Sequence, residues 1–359
     1  MSLKFQADCR PLLIGSLPLQ DHAEALDLVL DHTPEIPLWV QLPFYREEGM
    51  VFQFAPGLPG LTTTPEKVWI DTLLENYEAQ LLAFYEDYLA VTDGGASLEK
   101  TRFALTPETA AGFFVFTQRI ASLPKPPQAL KGQVTGPITF CTALKDQQGR
   151  ALFYDQQLRE VAVKLLAMKA RWQVEQLSQF NCPVIIFIDE PALAGFGSSE
   201  FISIGREEIS ACLNEVVQAI HSVGGLAGVH VCANTDWSLL LASEIDIVNF
   251  DAYAYFDRFI LYPEQIKHFL KSGGILARGI VPTLNATDIE KENNASLLTK
   301  WRAQTAAIEA LGVERSVLRA QSLLTPSCGT GSISLEHAKK VLRLTKEISA
   351  TVREEGSLT

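Results

Sequence analysis

The amino-acid sequence predicts an α/β fold, a single (β/α)8 or TIM barrel over residues 1–359 with extra helices between strands 2 and 3. Three observations support this prediction. Eight short apolar runs recur along the chain, and each is followed by a pattern typical of a helix. No Pro/Gly/Ser-rich linker or shift in composition divides the chain. The alternative is an open, doubly wound sheet, but no Gly-rich fingerprint follows the first run.

The eight runs have the lengths of strands. The fourth, Val184–Ile188, is apolar throughout, as expected of a parallel strand covered on both faces. In chain order the runs are Pro11–Leu17, Ile36–Leu42, a run ending at Pro137, Val184–Ile188, a run carrying His230 and Cys232, Ile245–Asp251, Ile275–Ile280 and Val317–Leu324.

Helix starts between the runs follow capping rules. Asp21, with Glu24 three residues on, is expected to cap the first helix. Thr64 and Thr106 each precede Pro and Glu, so two helices are expected to begin there, in the connection between the second and third strands. Later helices are expected over about 151–179, 301–311 and 335–348.

Composition and charge exclude several classes of partner. A formal net charge of -12 and a pI near 5.1 leave no basic surface for nucleic acid or for anionic membranes. Met1–Arg10 lacks the apolar segment of a signal peptide, and no apolar run is long enough to span a bilayer, so a cytoplasmic location is expected. In a reducing compartment the six cysteines are expected to be thiols or metal ligands.

Residues of metal-ligand type lie at the carboxyl ends of several predicted strands, where a barrel of this class has its active site. His230 and Cys232 are two residues apart in a strand, so they point to the same face. Asp251 ends the sixth run, and Cys328 follows the eighth. Imidazole, thiolate and carboxylate together suit Zn²⁺, which predicts a zinc site. Asp251 is the weakest member, because a carboxylate there also serves as a helix cap or ion-pair partner.

Two further places are candidates for binding or catalysis. Asp189 and Glu190 end the fourth run and are interpreted as catalytic acid and base, or as the grip on a substrate ammonium group. The alternative for this pair is a strand-end ion pair or helix cap. The Ile14-Gly15-Ser16 turn offers backbone and hydroxyl donors to a substrate carboxylate, so Ile14 and Ser16 are candidate binding residues. A turn that merely needs glycine is the alternative there.

The predicted ligand set indicates a type of reaction. A zinc ion with two thiolate ligands is electron-rich and poorly suited to acidifying water. It can instead bind an incoming thiol and hold it as the thiolate. The sequence therefore favours alkyl transfer to sulfur over hydrolysis.

Five short motifs at strand ends occur in the order Ile14-Gly15-Ser16, Val134-Thr135-Gly136-Pro137, Ile188-Asp189-Glu190-Pro191-Ala192-Leu193, His230-Val231-Cys232 and Ser327-Cys328-Gly329. Together they resemble the motifs of the catalytic barrel of cobalamin-independent methionine synthase over essentially the whole chain. The sequence is also similar to the uroporphyrinogen decarboxylase-like superfamily, which includes corrinoid-dependent thiol methyltransferases. The resemblance implies homocysteine binding through Ser16 and Asp189. It implies a zinc site formed by His230, Cys232, Asp251 and Cys328.

The sequence departs from the family's pattern at four places. Asp251 stands where the family has Glu. The family's Glu that helps bind the homocysteine amine is replaced near Pro43. Ala143 falls at the position of a Trp, and no counterpart of the proton-donating His lies between Gly279 and Asp288. The family's full-length enzymes carry a second barrel that helps bind methyl-folate polyglutamate, for which 359 residues leave no room. The expected methyl donor is therefore a methylated corrinoid protein, methylcobalamin or another non-folate donor.

Two rival functions compete with a thiol methyltransferase. A metal-free decarboxylase of the same superfamily would need arginines at the pocket mouth for the carboxylates of a tetrapyrrole. A non-catalytic zinc- or thiol-binding sensor would fit the missing His and Trp. The arginines available to the decarboxylase are Arg10, Arg46, Arg278 and Arg319.

Overall fold

The computed structural model describes residues 5–196 and 204–357. Within them, the centre is a curled sheet of seven parallel strands, and a short antiparallel hairpin lies beside it. The strands are β1 (Arg10–Pro11), β2 (Leu61–Thr63), β3 (Val68–Ile70), β4 (Leu130–Thr135), β5 (Val184–Asp189), β6 (Leu226–Val231), β7 (Ile247–Phe250), β8 (Ile275–Val281) and β9 (Ser322–Pro326). The order in the large sheet is β1-β9-β8-β7-β6-β5-β4, and β2 pairs with β3.

The second predicted run, Ile36–Leu42, occupies the place between β1 and β4 without forming a continuous strand. The Gln41 N–H donates to the Gly15 carbonyl at 3.1 Å, and the Lys131 N–H donates to the Pro37 carbonyl at 3.0 Å. Parallel bridges join Ser16 to Gln41 and Leu38 to Lys131. Pro37 has no N–H to donate, which helps to explain why the ladder is interrupted. The eight runs together form the wall of one barrel, so the predicted fold class is confirmed.

Helices cover the outer face of the sheet. Between the second and third runs, α3 and α4 correspond to the two predicted extra helices, and the short α2 is additional. In the described part of the chain, no helix combines the length and the apolar character needed to cross a membrane. The helices are α1 (His22–His32), α2 (Met50–Phe54), α3 (Tyr77–Thr92), α4 (Pro107–Ala121), α5 (Pro137–Ala143), α6 (Gln156–Ser178), α7 (Arg206–His221), α8 (Trp237–Leu241), α9 (Ala252–Phe259), α10 (Pro263–Lys271), α11 (Ala286–Lys291), α12 (Asn294–Glu309), α13 (Arg315–Ala320) and α14 (Leu335–Ser357).

The predicted helix start at Thr64 is wrong, because the helix of this segment, α3, begins only at Tyr77. Thr64 lies in the turn of the β2–β3 hairpin, where its N–H donates to the Lys67 carbonyl at 2.9 Å and its hydroxyl oxygen accepts the Lys67 N–H at 3.1 Å. Residues on both sides of this turn are β-branched or aromatic and pair across it, which outweighs a capping pattern read locally. By contrast, Asp21 caps α1 as predicted, and α4 begins at Pro107 as predicted.

The eighth predicted strand begins too early. Its first residues, from Val317, belong to α13, and β9 begins only at Ser322. A short apolar run does not distinguish a strand from a buried helical turn. Gln321 stands at the break, and its side-chain amide donates to the carbonyls of Leu270 at 2.8 Å and Gly274 at 2.6 Å.

The inner face of the barrel changes from apolar to polar toward the carboxyl ends of the strands. One apolar cluster, buried together, includes Ile185 and Phe187 of β5, Ile247 of β7, Ala277 of β8 and Leu323 of β9. Residues two apart on a strand share a face, so polar side chains follow on the same face. The next positions on these strands are Asp189, Asn249, Gly279 and Thr325.

Candidate metal centre

Three of the four predicted zinc ligands converge at the carboxyl end of the barrel. The ligand atoms of His230, Cys232 and Cys328 all lie within 4.8 Å of one another, the one such group among the described residues. His230 is next to last in β6, Cys232 follows the strand, and Cys328 lies two residues beyond β9. His230 is only 4% exposed, whereas both cysteines are partly exposed. The two cysteines are therefore the less buried side of the group.

The orientation of the His230 ring is set by Asn249 on the neighbouring strand. The Asn249 amide nitrogen donates to the Ala277 carbonyl at 2.7 Å and to the Thr325 hydroxyl at 2.8 Å. A backbone carbonyl only accepts, so the amide oxygen must point the other way, at Nδ1 of His230. In the neutral ring, Nδ1 therefore carries the proton, and the lone pair lies on Nε2. This arrangement is typical of metal-bound histidines.

Two features fit this group to a zinc ion. His230 Nε2 is buried and makes no hydrogen bond of ordinary geometry; the Cys232 sulfur is its polar neighbour, although a buried polar atom normally has a full partner. One imidazole nitrogen and two sulfurs are the donors that zinc prefers, at about 2.0–2.3 Å each. The three ligand atoms lie within 4.8 Å of one another, so only small side-chain shifts would bring all of them onto a single ion. His230, Cys232 and Cys328 are therefore the residues that would hold the metal.

The two thiols share one proton in the metal-free protein. The neighbouring Cys328 thiol, and then the His230 ring, lower the pKa of Cys232 well below its ordinary value. The adjacent Cys232 sulfur and burial raise the pKa of Cys328 far above its ordinary value. One thiolate is therefore present at neutral pH, and a cation would readily displace the remaining thiol proton.

Asp189 is the acidic residue nearest to this group along the sheet, because it pairs in register with His230. Its Oδ1 atom is buried without a hydrogen-bond partner. Burial raises the pKa of Asp189, the charges of Lys131 and His230 lower it, and the Cys232 thiolate raises it. An unsatisfied carboxylate oxygen at this height can accept a hydrogen bond from a substrate cation.

The hydrogen bonds of Glu190 give it a structural role. Its carboxylate accepts the N–H groups of Ile138 at 2.8 Å and Thr139 at 2.9 Å, and the Thr139 hydroxyl at 2.6 Å, which caps the start of α5. Burial raises the pKa of Glu190 to about 7, although these donors act to lower it. A Cβ on Gly136 would lie 2.1 Å from the Glu190 carboxyl carbon. Glycine in the Thr-Gly-Pro motif therefore makes room for Glu190, and the structure brings Asp189 rather than Glu190 to the metal centre.

Asp251 is not among the three converging ligands. It is 1% exposed and is the N-cap of α9, where its side chain accepts the Ala254 N–H at 2.9 Å. Burial, and to a lesser extent the Cys232 thiolate, raises the pKa of Asp251 to about 6. The structure thus favours the capping alternative, and zinc ligation by Asp251 stays a prediction.

The Ile14-Gly15-Ser16 turn is bonded to the loop that carries Cys328. The Ser16 carbonyl accepts the Thr330 N–H at 3.0 Å, and the Ser16 hydroxyl oxygen accepts the Gly331 N–H at 3.2 Å. The Ile14 carbonyl accepts from the ammonium group of Lys131, a fully buried residue. The two predicted binding residues therefore lie beside the metal centre.

Sequence reasoning missed Asn249 and Lys131. Both are polar residues inside otherwise apolar strands, and a buried polar residue usually has a specific partner. That signal was available from the sequence, but the partners were not. Asn249 meets His230 only through the register between β6 and β7, in which these two residues are paired.

Comparisons with known proteins agree with the barrel fold. No protein-family profile matches the sequence, and no curated protein matches it. The structure is similar to a B12-independent methionine synthase from Shewanella sp. W3-18-1 in complex with selenomethionine, at 16% identity and a TM-score of 0.55, covering 97% of this chain and 99% of that chain. A Listeria monocytogenes protein, named as a candidate vitamin-B12-independent methionine synthase, is similar at 12% identity and a TM-score of 0.56, covering 96% and 98%. These similarities confirm the fold that the motif resemblance implies.

Proposed function

We propose that this protein is a zinc-dependent methyltransferase that transfers a methyl group to the sulfur of a small thiol, with homocysteine as the first candidate. The observation that carries the proposal is the convergence of His230 Nε2, Cys232 Sγ and Cys328 Sγ. Three protein ligands leave one position of a tetrahedral ion for a substrate, as in catalytic zinc sites. The names of the two similar structures, one of them solved with selenomethionine, support a sulfur amino acid as the substrate class.

The proposed reaction forms a carbon–sulfur bond. Bound zinc would hold the substrate thiol as its thiolate at neutral pH. The sulfur lone pair then bonds to the methyl carbon as the carbon's bond to the donor breaks, and the donor leaves with that electron pair. The thiol proton is released to solvent before the transfer. The substrate and the donor are proposed to approach from the side of the two partly exposed cysteines.

Side chains around the metal centre are proposed to recognise an amino-acid substrate. Asp189 accepts the substrate ammonium group through its unpartnered Oδ1 atom. The Ile14–Ser16 turn binds the substrate carboxylate. Glu190 contributes indirectly, because it caps α5 while its own N–H donates to the His230 carbonyl at 2.9 Å. Glu190 thereby keeps the ends of β5 and β6 together.

The methyl donor is proposed to be a methylated corrinoid or another non-folate compound. The two similar structures are named as B12-independent, so the experiment gives equal weight to a small donor that is not a corrinoid. Methylcobalamin, a methylsulfonium compound and methyl-folate are compared as donors under the same conditions. Transfer from methyl-folate alone would refute the non-folate donor.

The rival decarboxylase loses most of its candidate arginines. Arg10 bonds to Glu35 at 2.6 Å at the start of β1, and Arg319 pairs with Asp8 at 3.3 Å before β9 begins. Both lie at the amino-terminal end of the barrel, away from the catalytic face. Arg278 is almost fully buried against α12 and contacts Trp301 there. These positions do not form a tetrapyrrole-binding mouth.

The first experiment measures zinc in protein purified without added metal. We expect about one zinc per chain in the wild type, and loss of most of it in His230→Ala and Cys328→Ser. Cys212→Ser is the matched control, because Cys212 is a buried cysteine of α7 outside the metal centre. Equal zinc in all four proteins would contradict the assigned ligands.

The second experiment titrates homocysteine into cobalt-substituted protein. An added thiolate ligand changes the visible spectrum, and each thiol bound is expected to release one proton. Methyl transfer from each donor is then measured by product formation. A metal whose spectrum never responds to thiols would exclude the proposed mechanism and favour a structural or sensor role.

A further inference from the structure

A separate cavity lies on the outer side of the barrel wall. Its volume is about 440 Å³, within the roughly 300–1,000 Å³ typical of ligand sites. It is lined by residues of β8, α12, α13 and α14, together with Cys9 just before β1. Because Cys9 and α13 precede their strands, the cavity opens toward the amino-terminal end of the barrel. The metal centre lies at the other end.

Arg278 of β8 is the unusual residue of this cavity. It is 1% exposed, and its guanidinium carbon lies 3.2 Å from the ring centroid of Trp301. Nη1 donates to the Thr305 hydroxyl at 3.1 Å, whereas Nε has no hydrogen-bond partner. Within the described ranges, no carboxylate lies within ion-pair distance of Arg278. Burial lowers the pKa of Arg278 to about 9, so the side chain is still charged at neutral pH.

The other arginines that line the cavity each have a carboxylate partner. Arg302 pairs with Glu355, Arg315 with Glu309 and Arg319 with Asp8. A buried charge without a counter-ion is costly, and proteins normally compensate it. The cavity therefore combines an uncompensated cation with further positive side chains, in a chain whose net charge is -12.

We propose that this cavity binds a small organic molecule bearing a phosphate or carboxylate group, with Arg278 as the charge partner. The oxyanion supplies the acceptor that the Arg278 guanidinium lacks, and guanidinium groups match both anions geometrically. Apolar lining residues such as Leu318 and Val352 cover the organic part of the ligand. The site is distinct from the metal centre and does not depend on the proposed function.

The test compares inorganic phosphate, pyrophosphate and citrate with chloride at equal ionic strength, using calorimetry and thermal unfolding of the protein as purified. We expect saturable binding of at least one probe with a Kd of about 1 mM or tighter. Citrate against the two phosphates distinguishes a carboxylate ligand from a phosphate ligand. Arg278→Met is expected to weaken binding at least 10-fold.

Controls separate this cavity from other anion sites. Arg258→Met removes an exposed arginine of α9 and should leave binding unchanged. Arg302→Gln, at the exposed rim, should weaken anion binding severalfold. If Arg278→Met does not fold, this variant tests whether the cavity binds the anion. Binding should also survive removal of zinc. The proposal is overturned if no probe saturates below about 10 mM, or if the Arg278 and Arg302 variants bind as the wild type does.

Discussion

Replacing Asn249 by leucine tests whether the protein presets the His230 ring for metal binding. Leucine has a similar size but cannot accept the Nδ1 proton. In other metalloproteins, loss of such a supporting hydrogen bond weakens metal binding by about 10–100-fold, or about 1.4–2.7 kcal/mol. We expect the zinc Kd of Asn249→Leu to rise by that factor.

The same substitution should also destabilise the metal-free protein. The Ala277 carbonyl and the Thr325 hydroxyl each lose a donor at 2.7 and 2.8 Å, and both residues are fully buried. Unpaired buried groups cost about 1–3 kcal/mol each, so the loss at these two sites should lower the free energy of unfolding by about 2–6 kcal/mol. Urea unfolding of metal-free protein measures this loss separately from zinc affinity.

Zinc affinity is measured by competition with a chelator of known strength. Thr325→Val is the matched control, because it removes one anchor of the Asn249 amide and leaves the bond to the Ala277 carbonyl. Its zinc Kd should change less than threefold. A folded Asn249→Leu protein whose zinc Kd stays within twofold of the wild type would refute the role of the preset ring.

Three further predictions concern other parts of the barrel. Gly136→Ala should lower the free energy of unfolding by about 3 kcal/mol or more, because its Cβ would lie 2.1 Å from the Glu190 carboxyl carbon. Adding Glu190→Ala should recover part of that loss. Strictly additive effects of the two substitutions in urea unfolding would contradict the contact. The hydrogen bond to Asp246 raises the pKa of His221 above 6.5. The stability that this bond adds to the folded protein is therefore complete below pH 6.5 and is lost as pH rises through the folded pKa, and His221→Asn should flatten that part of the stability–pH profile. Asp189→Asn should raise the KM for homocysteine about 10-fold and leave that for 3-mercaptopropionate, which lacks the amine, unchanged; equal effects on both thiols would argue against ammonium binding.

The barrel could be predicted because strands buried on both faces form continuous apolar runs, as in Val184–Ile188. Local rules failed where a distant or competing partner decides the outcome. Thr64 matches a helix start, but pairing between β2 and β3 determines its conformation. Val317 is apolar and begins a plausible strand, yet Gln321 is held by carbonyls about 50 residues away, and the strand begins after it.

The metal ligands could be predicted in part, because His230 and Cys232 obey the two-residue period of a strand and lie where catalytic residues of barrels lie. Their support could not, since Asn249 acts through strand register. Glu190 also resembled a catalytic acid in sequence. Its partners at Ile138 and Thr139 are 52 and 51 residues away along the chain, so only the folded structure distinguishes a cap from a catalyst.

The contact between Gly136 and Glu190 restricts the order in which the two positions can change during evolution. A larger residue at 136 is excluded while Glu190 keeps its length, since an added Cβ would overlap the carboxylate. Shortening Glu190 first leaves the α5 donors at Ile138 and Thr139 without their acceptor. Every single step therefore passes through a less stable protein. Among relatives that keep this barrel geometry, the Thr-Gly-Pro and Asp-Glu-Pro motifs should be kept or lost together, although about 50 residues separate them in the sequence.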